Sequence, residues 1–421
     1  MALPSSAPPP PAAGPRVEPV HDFAGKLRQP GLYPHVLAYV AWRRAVREAA
    51  AAGAPPPPAP PASPLSINLD LTTACNYACD HCIDWEILNS GVSHEDAVLR
   101  ESIRTMAAAG LASVILIGGG EPTVYPGFAS FSGFLKDLRL QVAVVSNGSR
   151  NDRLLEVIHR FDRNDWIRLS LDAGTDATFQ RMHRPKRPIT LDEICAGVTR
   201  LKERNPAPRV GFSFIITWEG AAREAGAPVV ENLDEIPLAA RRARDAGFDY
   251  LSLKPFLVRR ADGSEVMDAG QGALALDRVV ARIRARVDEA KALASPTFRV
   301  VESTNLRVLE SGTWRDLTKQ PKTCHMQALR QVLTPLGLFN CPAHRGAPKA
   351  LVAGKDAYAD AASVARTTAA TASILDRFDA SSECAEVTCL YHGANWWLEH
   401  AISDADPAAL SASPETEDWF L

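Results

Sequence analysis

From residue 66 onward the chain repeats one rhythm, and that rhythm restricts its architecture more than any other feature. Short runs rich in β-branched and aliphatic residues occur at 66–72 (SINLDLT), 113–117 (SVILI), 141–146 (QVAVVS), 166–171 (WIRLSL), 210–217 (VGFSFIIT) and 249–254 (DYLSLK). Helix-length amphipathic stretches fall between them, near 95–109, 128–138, 151–161, 190–204 and 233–246, and a further one spans 275–294. Alternation of this kind predicts βαβ units with right-handed crossovers and a parallel sheet. Six such units predict an α/β fold, a partial (β/α)6 TIM-like barrel over residues 66–296. Residues 297–400 break the rhythm and are expected to form a small appended domain, followed by an acidic tail over 401–421 that is expected to fray.

The segment before the barrel is different in kind. Sixteen of the 32 prolines lie in the first 64 of the 421 residues. Residues 1–19 and 53–64 read as disordered or polyproline linkers. Between them, 35–51 (HVLAYVAWRRAVREAAA) predicts one helix, with Leu37, Val40 and Val46 available to lie against the main body. Residues 1–65 are thus a proline-rich extension with a single helix. Lys plus Arg number 46 and Asp plus Glu 49, a net charge of −3. That near-balance argues against a basic face for nucleic acid. No apolar run has the length of a membrane span, and the N-terminus lacks the apolar core of a secretory signal. A cytoplasmic protein without a membrane partner is the expectation.

The eight cysteines are unevenly placed. Cys75, Cys79 and Cys82 form a C-x3-C-x2-C pattern directly after the first strand, on the rim where parallel α/β folds bind ligands. Cys324, Cys341, Cys384 and Cys389 lie in the C-terminal quarter, and Cys195 sits alone on a predicted helix as a buried free thiol. Clustered thiols in a reducing compartment argue for metal ligation over disulfides. Three local thiolates suit a [4Fe–4S] cube with one iron left open. The alternative is a structural zinc site completed by His81 or a distant residue.

The pattern resembles the cluster loop of the radical SAM enzymes. In that family the three cysteines hold a [4Fe–4S] cluster, and the open iron chelates S-adenosylmethionine. An aromatic residue often precedes the third cysteine, and His81 stands there. Other segments extend the resemblance. The second strand runs into Gly118-Gly119-Gly120-Glu121, similar to the family's GGE motif, which implies that Gly119, Gly120 and Glu121 bind the methionine amino group. Ser146-Asn147-Gly148 is similar to a Thr-Asn-Gly often found near the cofactor, and implies a contact from Asn147. Residues 168–175 (RLSLDAGT) resemble the family's SLDA(G)T segment. Alternation puts Ser170 and Asp172 on one face of that strand, and the resemblance implies cofactor contacts from both. An arginine about a dozen residues on often pairs with the cofactor carboxylate. Simple alignment reaches His183, but a guanidinium suits a carboxylate better, so Arg184 is the expected partner. Lys254 ends the sixth strand on the same rim, as a substrate or cofactor contact or as half of a salt bridge.

Cys324 and Cys341 bracket a predicted hairpin around Pro335-Leu336-Gly337, a spacing similar to the start of a SPASM or twitch domain. Full SPASM domains carry seven cysteines; this region has four, which fits one auxiliary [4Fe–4S] cluster held by Cys324, Cys341, Cys384 and Cys389. A four-thiolate zinc site is the alternative.

The resemblance implies reductive cleavage of S-adenosylmethionine to methionine and a 5′-deoxyadenosyl radical. That radical takes hydrogen from a substrate C–H bond, with the electron supplied by a donor such as flavodoxin or ferredoxin. Two substrate classes follow from it: a small molecule such as a sugar or aminocyclitol, oxidised or rearranged, and a peptide matured by crosslinking. One helix between proline-rich segments is too little for the peptide-recognition domain that many maturases carry, which favours the small molecule. A non-catalytic zinc or iron–sulfur scaffold is the reading from a different class.

Overall fold

The computed structural model describes residues 22–60, 62–223, 228–267, 276–403 and 417–421. The linker expected at 1–19 lies outside the described residues. Six strands follow the expected positions: β1 (Ser66–Leu69), β2 (Ser113–Leu116), β3 (Gln141–Ser146), β4 (Trp166–Ser170), β5 (Arg209–Ile216) and β6 (Tyr250–Pro255). Each is parallel to the next. A two-stranded ribbon, β7 (Val258–Arg259) and β8 (Glu265–Val266), leaves the end of β6. A seventh parallel strand, β9 (Arg299–Glu302), then pairs with β6. The sequence reading ended the barrel just before it, because four residues with Arg and Glu at the ends carry too little apolar pattern.

The C-terminal region does not stand apart from the barrel. Its β10 (Arg330–Thr334) pairs parallel with β1, then continues antiparallel into β11 (Gly337–Phe339) and β12 (Leu351–Ala353). The hairpin expected around Pro335-Leu336-Gly337 is thus part of one sheet, in the order β12-β11-β10-β1-β2-β3-β4-β5-β6-β9, open at both edges. A partial barrel is the observed architecture.

Side chains alternate across this sheet as the pleat requires. Ile67, Leu69, Val114, Leu116, Val142, Val144, Ile167, Leu169, Phe212, Phe214, Leu251 and Leu253 join the core cluster beneath the surrounding helices. Helix starts are set locally. Thr190 caps Leu191–Arg204, accepting from the Glu193 N–H while the Glu193 carboxylate accepts from the Thr190 N–H. Thr175 caps Asp176–His183, a helix the sequence reading missed because eight residues show little periodicity.

The N-terminal helix Tyr33–Ala51 docks on the helix His392–Ser403. Val36, Tyr39 and Val40 share a second apolar cluster with Leu375, Leu398, Ala401 and Ile402. Arg47 donates to Glu399 at 2.8 Å, and Tyr39 Oη lies 2.7 Å from His325 Nδ1. His325 Nε2 is 2.9 Å from Glu399. If Tyr39 donates to Nδ1, the ring proton sits on Nε2 and is donated to Glu399. The His325 hydrogen bond, against an opposing push from burial and with help from Arg47, draws the Glu399 carboxyl down to about 2 from its ordinary 4.5. A depressed carboxyl contributes stability above pH 4.5 that is lost as pH falls towards about 2. Glu399→Gln is therefore expected to flatten the acid limb of the stability curve between those values, read by denaturation at successive pH.

The end of the tail is not frayed. Trp419 O accepts from Ser113 Oγ at 2.8 Å, Leu421 O accepts from Arg330 Nε at 2.6 Å, and Gln29 donates to Asp418 O at 2.9 Å. Phe420 is buried against Ile115 and Ala143, with Trp166 packed beside it at 5.4 Å between ring centroids. Ile115 and Ala143 belong to the face opposite the helix-side residues, so Phe420 closes the interior of the sheet near the strands' N-terminal ends. Composition hid this: the acidic residues of 401–421 masked a three-residue apolar end, Trp419-Phe420-Leu421. Phe420→Leu is expected to cost about 1 kcal/mol and to change Trp166 fluorescence.

Candidate active site and cysteine centres

The cysteine loop leaves β1 and is fastened by backbone bonds from elsewhere. The Ala78 and Asp80 N–H groups donate to the His183 and Met182 carbonyls at the end of the helix Asp176–His183. Lys186 donates its ammonium to Cys75 O at 2.7 Å, and Asn89 Oδ1 accepts from the Cys75 N–H at 3.0 Å. Cys75, Cys79 and Cys82 are all partly buried. Burial pushes all three thiols above their ordinary range, and at Cys79 the nearness of Cys82 and Cys75 adds to it. Among the described residues, the one His/Cys/Asp/Glu group whose ligand atoms all lie within 4.8 Å of one another is His81, Asp172 and His183. The three thiols do not form such a group, whereas thiolates arranged around one tetrahedral zinc with ~2.3 Å bonds would sit ~3.8 Å apart.

His183 and Arg184 separate cleanly. Arg184 ends the helix in the left-handed region, at φ 45°, and is exposed, its Nε donating to Arg181 O at 3.3 Å. His183, buried, turns inward: Nδ1 is 3.2 Å from Cys79 Sγ and Nε2 2.9 Å from Leu171 O. A carbonyl only accepts, so Nε2 carries a proton. Nδ1 is then the atom that meets the Cys79 sulfur, in the manner of an outer-shell partner to a metal ligand. The structure brings His183, and not Arg184, to the cysteine loop.

His81 is not an open aromatic face. It lies between two carboxylates, with Nδ1 3.0 Å from Asp80 and Nε2 3.0 Å from Asp172. Burial alone would lower it, but its hydrogen bonds to the Asp172 and Asp80 carboxylates raise it to about 9. Asp172 sits in the left-handed region at φ 51° and also accepts from the Ile215 N–H at 2.6 Å. Burial opposes its ionisation, yet His183 and His81 hold it well below the usual carboxylate range. His81 and Asp172 are therefore spent on each other, and of the pair Ser170 and Asp172 only Ser170 is left half-open to the interior.

The glycine motif is built around close approach. A Cβ on Gly120 would meet Ala74 O at 2.4 Å, and one on Gly119, which has φ 60°, would meet Asp70 Oδ2 at 2.5 Å. Glu121, buried, accepts from the Thr123 N–H, Thr123 Oγ1 and Ser146 Oγ through Oε1 and from the Asn147 N–H through Oε2. One acceptor direction remains on Oε2. Asn147 Nδ2 reaches Asn76 Oδ1 at 2.9 Å, so the loops after β1, β2 and β3 are bonded into one rim.

Cys324, Cys341, Cys384 and Cys389 line a single cavity with Asn395, His344, Phe378 and Tyr391. Asn395 donates to Cys324 Sγ at 3.5 Å, and His344 Nε2 lies 3.4 Å from Cys384 Sγ. Burial pushes Cys341 up to about 12, with Cys324 adding its charge. Converging thiols that raise one another are stabilised as thiolates by a cationic centre. Cys195 is buried on its helix, away from both sets.

The fold is thus a partial α/β barrel with three thiols on its rim. Residues 69–221 match the Radical SAM superfamily, so that stretch of the chain is a radical SAM domain. It is similar to an S-adenosylmethionine-dependent nucleotide dehydratase of Selenomonas ruminantium, 25% identical over 158 residues, which are 36% of this chain and 56% of that protein. A second protein of that name, from a Thermoplasmatales archaeon (strain ISO4-H5), is 31% identical over 117 residues, 27% of this chain and 39% of the relative. The chain thus spans about half or less of these curated relatives. In fold it is similar to Streptococcus suis SuiB, with a TM-score of 0.52 at 12% identity over 86% of this chain and 78% of that one. Among the described residues no helix is long and apolar enough to cross a membrane.

Proposed function

We propose that this chain is a radical SAM enzyme that takes hydrogen from a C–H bond of a small molecule held inside the partial barrel. When bound, a [4Fe–4S] cluster with S-adenosylmethionine supplies a 5′-deoxyadenosyl radical from one donated electron, as from flavodoxin or ferredoxin. The observation that carries the reading is the rim itself: Cys75, Cys79 and Cys82 on a loop bonded to the helix that ends in His183 and to the loops anchored by Glu121. Cys75, Cys79 and Cys82 hold the cluster. His183 orients the Cys79 sulfur through Nδ1. Gly119 and Gly120 let the loop lie flat, and Glu121 fixes the positions of Ser146 and Asn147 while its remaining acceptor faces an ammonium group. Ser170 contributes a hydroxyl from the interior face. Phe420 closes the opposite end and excludes water, which a radical site requires.

The four C-terminal cysteines hold one auxiliary cluster in this reading. With all four positions thiolate, that cluster would accept an electron, conduct electrons or stiffen the fold rather than bind substrate. The Ser170 hydroxyl on the interior face and the floor closed by Phe420 support a compact substrate, as do relatives named for acting on nucleotides. Anaerobic reconstitution tests the proposal. It expects about eight irons per chain, from two four-iron clusters, with methionine released under reductant. Stoichiometric zinc without cleavage overturns it.

A further inference from the structure

The interior face of β4, β5 and β6 is a polar ladder flanked by two cations. Strand register sets Arg168 beside Gly211 and Tyr250, Ser170 beside Ser213 and Ser252, and Ile215 beside Lys254. Their sequence neighbours Leu169, Phe212, Phe214, Leu251 and Leu253 are in the helix-side core, so the pleat turns Arg168, Ser170, Ser213, Ser252 and Lys254 inward. Gly211 leaves room for the Tyr250 ring, which a Cβ there would meet at 2.1 Å.

Neither Arg168 nor Lys254 has an ion-pair partner among the described residues. Arg168 lies over the Trp166 ring at 5.2 Å, and its buried Nε has no hydrogen-bond acceptor. Lys254 reaches Ser213 Oγ at only 3.4 Å. Among the described residues no carboxylate forms an ion pair with either; Asp172, the nearby acid, is engaged by His81, His183 and the Ile215 N–H. Burial pushes Lys254 well below its ordinary range, and the charge of Arg168 pushes the same way. Both groups keep part of their surface open to the interior. A positive charge held here without a paired carboxylate is costly, and an anion between the two groups would favour the charged form of both.

We propose that this ladder binds an anionic group of the substrate, a carboxylate or a phosphate, between Arg168 and Lys254 and above the hydroxyls of Ser170, Ser213 and Ser252. The proposal deepens the reading above by naming the substrate class, and rests on it only for the word substrate. Arg168 supplies a fork suited to two oxygens, and Lys254 a point charge nearer the cysteine rim.

The test is a titration of cluster-loaded protein saturated with S-adenosylmethionine, using inorganic phosphate in one arm and malonate in the other. Trp166 fluorescence, with Trp166→Phe as control, reports binding. Saturable binding of at least one anion is expected, weakened about tenfold in Lys254→Gln and in Arg168→Met, with the tighter arm identifying the group. Arg168→Lys, which keeps the charge, retains most of the binding if the methionine variant fails to fold. No saturable binding in either arm overturns the proposal, as does binding unchanged in the variants. Anion binding seen without S-adenosylmethionine but abolished by it also overturns it, because the cations then read the cofactor. A protein that binds anions here but lacks a cubane signature sinks the enzyme reading and leaves the ladder standing.

Discussion

Cys75→Ala is expected to bring S-adenosylmethionine cleavage to background and to lower the iron content from about eight to about four per chain. No neighbouring side chain can take the vacant position. His81 has both ring nitrogens on Asp80 and Asp172, and His183 has Nε2 on Leu171 O and Nδ1 against Cys79. Recruiting His81 would break buried hydrogen bonds to carboxylates, each worth ~1.5–3 kcal/mol, and recruiting His183 would cost its bond to Leu171 O or its contact with Cys79. Cys384→Ala is the matched control. It removes a thiol from the separate C-terminal cavity and is expected to spare part of the cleavage. Iron analysis and methionine release under reductant check both variants. Cleavage by the Cys75 variant at the parent rate would refute the ligand assignment.

The second large effect concerns the join between the C-terminal region and the rim. Arg345, four residues after Cys341, crosses to the barrel, with Nη1 2.6 Å from Asp84 and Nη2 3.5 Å from Asp70. Arg259 completes the group, bonding Asp84 at 3.1 Å, Glu265 at 2.9 Å and Ile83 O at 2.9 Å. Asp70, Asp84 and Arg345 are all buried. Burial raises Asp70 to about 8 even with Arg345 beside it. Arg345→Met leaves the buried Asp70 and Asp84 carboxyls with Arg259 alone, which of the two reaches only Asp84, and is expected to cost about 3–5 kcal/mol, measured by urea denaturation. Adding Asp84→Asn to Arg345→Met should recover part of the loss, because the buried charge is gone. Asp84 lies two residues after Cys82, and its Oδ2 accepts from the Gly119 N–H at 3.3 Å. The single variant should therefore also weaken S-adenosylmethionine binding. Equal stability of Arg345→Met and the parent would show that the contact does not hold the two regions together.

Gly118 shows why this contact was illegible in the sequence. A Cβ there would meet Arg345 Nη1 at 1.9 Å, so the first glycine of the motif makes room for an arginine 227 positions away. The motif read as a cofactor loop; part of its need for glycine is the protein's own packing. The choice between His183 and Arg184 has the same origin. Adjacent residues share a sequence neighbourhood, and only the helix end, with Arg184 in the left-handed region, sends one inward and the other to solvent. Phe420 offered a faint signal in an apolar triplet, but no local rule could place it under β2 and β3.

The sequence by itself determined the alternation of strand and helix, hence the parallel sheet, and the spacing of three thiols on the first rim loop. Both are local: a pleat repeats every two residues, a helix every 3.6, and a C-x3-C-x2-C loop is eight residues long. Tertiary structure alone decided what those elements enclose. It joined β10 to β1 and brought Arg345 to Asp84. It also turned Arg168 and Lys254 toward one space, since contacts between distant residues depend on how the chain closes and not on any short pattern within it.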